Sequence, residues 1–182
     1  QLALRVLSTA ALMAMVSSIA TAAFADTYDL NTGSVTVETK ANGITYVTQA
    51  NTETTDHLDT TGVTITSNGD PTSNTITVET AENQTTNVTL QDVDIEAKSS
   101  WNDSGSAPIE IKGNGNTNLE LNGNNTVLSG NSNHAAIEKA DKYGTGTLTI
   151  KDEVNDGGTG KLLAGGYEEG AAIGGGAGDL GD

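Results

Sequence analysis

Short apolar alternations separated by turns occupy most of the chain between residues 87 and 176. In each one, a few apolar and polar positions alternate, so it is too short for a helix and predicts a brief strand with one buried face. Glycine, asparagine and aspartate fill the turns between them. The nine runs are Val88-Thr-Leu90, Val93-Asp-Ile95, Ile109-Glu-Ile111, Leu119-Glu-Leu121, Thr126-Val-Leu128, Ala135-Ala-Ile137, Leu148-Thr-Ile150, Leu162-Leu-Ala164 and Ala171-Ala-Ile173. Together they predict an all-β domain.

The nine runs fall into three successive groups of three. Leu90, Leu121 and Ile150 recur about thirty residues apart, and the other members recur at roughly 28 to 36. A fixed period of about 20–50 residues with one strand triplet per period is typical of a solenoid, whose coils bury their apolar faces on one another. We therefore expect a parallel β-solenoid with about three short strands per coil. In it, Leu90, Leu121 and Ile150 should stack one above another.

Residues 26–86 are less regular than the rest. The run at residues 51–61 is the longest polar interruption and predicts a protruding loop. Because terminal coils must cap an open core, we interpret residues 26–86 as an N-terminal cap with the first coils. Residues 87–182 are then regular coils, which we expect to continue in downstream coils of the same polypeptide. Further strands are predicted at Val35-Thr-Val37, Ile44-Thr-Tyr46-Val47, Val63-Thr-Ile65 and Ile76-Thr-Val78.

The first 25 residues have the features of a secretory signal peptide. Arg5 supplies a positive charge, residues 6–16 are almost entirely apolar, and Ala23-Phe-Ala25 before Asp26 is a small-residue cleavage site. A transmembrane anchor would need about 20 continuous apolar residues, and polar residues interrupt this run. The sequence thus predicts a secreted protein with no transmembrane segment in its mature part.

Charge narrows the range of partners. After removal of the signal peptide, seven lysines face 24 acidic residues, which leaves a net charge of −17. This balance argues against nucleic acid, which requires a basic footprint. An acidic ligand would need a bridging cation. Cysteine is absent, so neither disulfides nor thiolate metal sites exist. High charge and few aromatics also favour disorder, but the alternation persists along the whole chain.

Glycine-rich segments near the end of the chain carry a family resemblance. They are Gly144-Thr-Gly-Thr-Leu-Thr-Ile150, Lys161-Leu-Leu-Ala-Gly-Gly166 and Gly170-Ala-Ala-Ile-Gly-Gly-Gly176. They resemble the rungs of large bacterial surface proteins with carbohydrate-binding, right-handed parallel β-helix domains. The resemblance covers residues 88–176, whereas residues 26–86 share only general strand character with that family. It implies a right-handed parallel β-helix, display at the cell surface and glycan ligands, as in an adhesin.

Aromatic side chains at turns are the candidate ligand-binding residues. Trp101 lies in a polar turn, and Tyr143 and Tyr167 fall at comparable positions in the next coils. The three could line one edge of the solenoid as a platform for sugar rings. Alternatively, they only cover the ends of coils, and the sequence does not separate these two interpretations.

Calcium is the candidate metal, since it prefers six to eight oxygen ligands. Asp92 with Asp94, and Asn102 with Asp103, are the best local candidates. They match no EF-hand loop.

No catalytic residue is predicted. Strand acids such as Asp94, Glu110 and Glu120 should point outward by alternation, towards solvent rather than towards one another. His57 and His134 are interpreted as surface residues. We expect a non-catalytic binding module, with a β-helix polysaccharide lyase or glycoside hydrolase as the first alternative. A structural stalk without a ligand is the second. Regular Thr-x-Thr ladders of an ice-binding type are disfavoured because their spacing varies.

Overall fold

The computed structural model of the chain describes residues 26–49, 52–57, 62–97, 106–140, 144–152 and 158–176. Within these ranges there are strands, turns and one short 3-10 helix (Leu30–Thr32), and no α-helix. The fifteen strands are β1 Thr27–Asp29, β2 Val35–Thr39, β3 Thr45–Gln49, β4 Thr52–His57, β5 Val63–Thr66, β6 Ile76–Thr80, β7 Thr85–Gln91, β8 Asp94–Glu96, β9 Ile109–Lys112, β10 Asn116–Asn122, β11 Asn124–Leu128, β12 Ile137–Lys139, β13 Leu148–Lys151, β14 Lys161–Gly165 and β15 Ile173–Gly174. The prediction of an all-β fold is confirmed.

The strands form three sheets. Sheet A has the order β1-β5-β7-β10-β13, sheet B has β8-β11-β14, and sheet C has β4-β3-β2-β6-β9-β12-β15. Every pairing is parallel except those of β3 with its two neighbours, which are antiparallel. From β7 onward the chain enters sheets A, B and C in turn, three times over. Each of the nine predicted runs overlaps one of these nine strands, so the grouping in threes is confirmed.

Sheet A shows how the strands stack. Val88 pairs with Leu119, and Leu119 pairs with Ile150, so successive strands are offset by 31 residues. Leu90 pairs with Leu121, as predicted. The expectation that Ile150 continues this column is wrong, because Ile150 stacks on Leu119. The error is a slip of two residues, which keeps the same side chains facing inward and so leaves the alternation pattern unchanged.

The inner faces of the three sheets share one apolar core. Along β5, β6, β7 and β9, aliphatic residues are buried at every second position. Fully buried members include Ile65, Leu90, Ile95, Ile111 and Ile137. The inner side chains of β13 and β14 pack against this core but are only partly buried. No described strand lies beyond them in their sheets.

Polar side chains also stack inside the structure. Thr39, Thr80, Thr86 and Thr117 are buried where sheets A and C meet. The hydroxyl of Thr86 donates to that of Thr39 at 2.7 Å, and the Thr80 hydroxyl lies 2.7 Å from Thr86 and 3.3 Å from Thr117. Between sheets A and B, Asn125 donates to two carbonyl oxygens and accepts the N–H of Val93. These threonine hydroxyls and the Asn125 amide therefore all have hydrogen-bond partners, which offsets the cost of their desolvation.

Glycine permits the closest backbone contacts between stacked strands. Gly115 and Gly146 precede β10 and β13, also 31 residues apart. A Cβ on Gly146 would collide with the carbonyl oxygen of Gly115, and one on Gly115 would collide with that of Ala81. A larger residue at either position would force the strands apart.

Two early strands were not predicted. The expected protruding loop at residues 51–61 contains β4, which pairs antiparallel with β3 at one end of sheet C. β1 pairs with β5 at one end of sheet A. Short polar strands escape a pattern search because backbone hydrogen bonds, not alternating apolar side chains, define them. The predicted signal peptide, residues 1–25, lies outside the described residues.

Replacing Leu119 with alanine should destabilise the fold far more than the same change at Leu163. Leu119 is completely buried between Val88 and Ile150, whereas Leu163 is 62% exposed. We expect a loss of about 2–5 kcal/mol in unfolding free energy for Leu119→Ala and a change within about 0.5 kcal/mol for Leu163→Ala. Urea denaturation of both variants measures the difference. Equal losses would contradict the described core.

Candidate functional site

A cavity of about 260 Å³ lies beside the β12–β15 end of sheet C. Its first wall is the loop at residues 129–136, which connects β11 to β12. Its second wall comes from the glycine-rich segments on either side of β15. The lining residues are Ser132, Asn133, His134, Ala135, Glu169, Gly170, Ala171, Gly175 and Gly176. Polar side chains line part of the cavity, and Ala171 with the glycines of the second wall forms a floor of small residues.

Internal hydrogen bonds hold the first wall in place. The buried Ser129 hydroxyl lies 3.0 Å from the carbonyl oxygen of Asn131 and 2.9 Å from that of His134, and it accepts the N–H of Asn131. The side-chain oxygen of Asn131 accepts the N–H of Asn133 at 2.9 Å. A loop fixed by its own side chains presents its lining groups in one arrangement.

A buried carboxylate lies directly behind this wall. Glu138 follows the inward-facing Ile137 in β12, so it belongs to the outer face of the sheet, yet the loop covers it and leaves it 4% exposed. Its Oε2 lies 2.9 Å from Nδ1 of His134 and accepts the N–H of Ala135 at 3.1 Å. Both contacts satisfy charge that burial would otherwise leave uncompensated.

The contact with Glu138 indicates which nitrogen of His134 carries a proton. A carboxylate only accepts hydrogen bonds, so Nδ1 carries the proton that lies between the two side chains. In a neutral imidazole, Nε2 then keeps its lone pair and acts as an acceptor. The side chain of His134 is 28% exposed, so it belongs to the surface as expected, but the sequence did not predict its contact with the buried Glu138. The spacing of four residues between His134 and Glu138 did not predict this contact. Such a spacing brings side chains together on a helix, but not along a turn that leads into a strand.

The second wall approaches the first very closely. A Cβ on Gly170 would lie 3.3 Å from the carbonyl oxygen of Ser132 and 3.4 Å from that of His134. A Cβ on Gly176 would lie 2.8 Å from Oε2 of Glu138. Glycine at these two positions thus lets the second wall lie against the first. The glycine-rich rung noted in the sequence forms part of this cavity.

Of the predicted aromatic residues, Tyr167 is the one that the structure describes. It is half-buried in the turn that leads to the second wall, where its carbonyl oxygen accepts the N–H of Gly170 at 2.8 Å. Trp101 and Tyr143 lie outside the described residues. An aligned aromatic edge therefore stays a prediction.

Of the four predicted calcium ligands, the structure describes two, Asp92 and Asp94. Asp92 adopts a positive φ of 48°, and its Oδ1 accepts the N–H of Asn124 at 2.9 Å, so its carboxylate links the turn between β7 and β8 to the start of β11. Asp94 has one buried carboxylate oxygen without a hydrogen-bond partner among the described residues. Asn102 and Asp103 lie outside the described ranges. Within those ranges, no three His, Asp or Glu side chains are grouped so that they could hold a metal ion.

The outer strand acids are paired with lysines rather than with each other. Glu110 lies 2.8 Å from Lys112, and Glu120 lies 3.6 Å from Lys151. All four side chains are partly exposed. Their contribution to stability is therefore small, about 0–1 kcal/mol for each pair.

Comparisons with known proteins identified no relative. No family model, curated protein or solved structure matches the chain. Among the described residues, none forms a helix long and apolar enough to cross a membrane.

Replacing Glu138 with alanine should loosen the first wall. The substitution leaves the buried N–H of Ala135 and Nδ1 of His134 without their acceptor, at a cost of about 1–3 kcal/mol. Glu169→Ala is the matched control, because that side chain is exposed and the expected change is within about 0.5 kcal/mol. Chemical denaturation gives both values. If the two variants unfold alike, the Glu138 contacts do not hold the loop.

Proposed function

We propose that this chain is a right-handed parallel β-helix that serves as a non-catalytic, carbohydrate-binding module. It would belong to an adhesin-like protein that is secreted or displayed on a bacterial surface. The parallel sheets, entered in turn by successive strands with a 31-residue offset in sheet A, support the solenoid part of this proposal. The antiparallel strands β3 and β4 at one end of sheet C support an N-terminal cap.

The cavity between the two walls is the observation that carries the binding function. Its volume of about 260 Å³ is slightly below the roughly 300–1,000 Å³ of typical small-molecule sites. This size suits one sugar residue of a larger glycan. The alanine and glycine floor leaves room for a ring, and Ser132, Asn133, His134 and Glu169 provide hydrogen-bonding groups for hydroxyls.

The same cavity favours binding over hydrolysis. A glycoside hydrolase places two carboxyl groups about 5–9.5 Å apart on either side of the scissile bond. Among the described residues that line the cavity, Glu169 is the single carboxylate. Glu138 lies behind the wall, with its Oε2 already engaged by His134 and Ala135. Lys112 and Lys151, two candidate bases for a lyase, are paired with Glu110 and Glu120 away from the cavity.

A glycan array probed with the full chain, with and without calcium, tests this function. We expect binding to a defined set of glycans, weakened by Tyr167→Ala beside the cavity and by Trp101→Ala if the predicted aromatic edge exists. Tyr46→Ala is the control, since Tyr46 lies on β3 under Lys40, far along the sheet order from β15. Absence of binding to every glycan would contradict the proposal and favour a structural stalk.

A further inference from the structure

Several groups around the cavity are hydrogen-bond acceptors, besides the Ser132 hydroxyl and the Asn133 amide, which can both donate and accept. Glu169 contributes a carboxylate to the lining. When the imidazole of His134 is neutral, the contact with Glu138 places its proton on Nδ1 and leaves Nε2 as an acceptor. The carbonyl oxygen of Ser132 lies where the two walls meet at Gly170, whereas that of His134 already faces the Ser129 hydroxyl. A ligand that engages these acceptors must bring donors.

The charge of the cavity lining and of the whole chain also favours a ligand with donor groups. None of the described residues that line the cavity is a lysine or an arginine. The buried Glu138 lies just behind the wall, and the whole chain has a net charge of −16. Such a field attracts cations and repels carboxylate or sulfate groups.

We propose that the cavity recognises a sugar residue with a free amino group, a 2-amino-2-deoxyhexose unit. Its ammonium group would be held by Glu169, and a ring hydroxyl would donate to Nε2 of His134. The ring would lie on the floor formed by Ala171 and the glycines of the second wall. The inference rests on the proposed sugar-binding function and names the ligand class of the same cavity.

Glu138 acts here as a positioning residue for His134. By accepting the hydrogen bond of the Nδ1–H group, it keeps Nε2 of the neutral imidazole as an acceptor for a hydroxyl donor. Glu169 provides the charge that separates an amino sugar from its neutral analogue. A charged hydrogen bond is stronger than a neutral one, which corresponds to about a tenfold difference in affinity.

The test is an NMR titration of the full chain at neutral pH with four probes: glucosamine, N-acetylglucosamine, glucose, and galacturonic acid with calcium. We expect glucosamine to shift the amide signals of Ala135, Gly170 and Gly176, with an affinity about tenfold above that for the two neutral sugars. Glu169→Gln should reduce glucosamine binding to the level of glucose. Glu79→Gln, which removes one exposed negative charge on β6, is the matched control and should leave binding unchanged.

The remaining outcomes separate the two proposals. If glucose or N-acetylglucosamine shifts the same amides as strongly as glucosamine, the preference for an amino group is wrong and sugar binding stands. Stronger binding of galacturonic acid with calcium would likewise overturn the amino-sugar assignment. If none of the four probes shifts these amides, the cavity binds no such sugar and the inference fails, while the glycan array decides separately whether another surface of the chain binds glycans.

Discussion

The structure depends on aliphatic side chains that stack in register between parallel strands. In sheet A, Val63, Val88, Leu119 and Ile150 occupy successive places in one column. A fully buried side chain of this kind contributes about 1.5–3 kcal/mol, but a single short strand supplies only two or three of them. Stability therefore arises only when several strands stack, and the three sheets must close around the same core.

Polar residues at the junctions of the sheets keep this stack in register. The buried threonine hydroxyls between sheets A and C and the Asn125 amide between sheets A and B bond from one strand to the next. Their hydrogen bonds hold only at the correct offset, since a buried group that loses its partner costs about 1–3 kcal/mol. The first wall of the cavity also depends on partners for a buried polar group, since Glu138 is buried where His134 and Ala135 bond to its carboxylate.

Much of the fold could be predicted from the alternation of apolar residues. Each of the nine runs after residue 87 overlaps a strand, and the stacking of Leu90 on Leu121 is as expected. The place of Ile150 could not be derived, because a slip of two residues preserves the inner face. The glycines before β10 and β13 indicate the correct register. Gly115 and Gly146 contact each other and lie 31 residues apart, which is the observed offset, whereas pairing Leu121 with Ile150 would imply a shorter one.

The candidate site was much less predictable than the fold. The glycine-rich rung and Tyr167 were recognised from the sequence, and both belong to the walls or the approach of the cavity. The pairing of His134 with Glu138 was missed, because it depends on how a loop folds over the outer face of β12 and not on any spacing rule. Strand β4 was missed for a similar reason, since its pairing with β3 rests on backbone hydrogen bonds.

Cysteine cross-linking tests the stacking register most directly, because the chain contains no native cysteine. Asn118 and Thr149 are direct partners on the outer face of sheet A, and neighbouring strands lie about 4.8 Å apart, within the range for a disulfide. The variant Asn118→Cys/Thr149→Cys should therefore cross-link readily on oxidation, while Glu120→Cys/Thr149→Cys should not. Preferential cross-linking of the second pair would place Ile150 on Leu121 and contradict the 31-residue register.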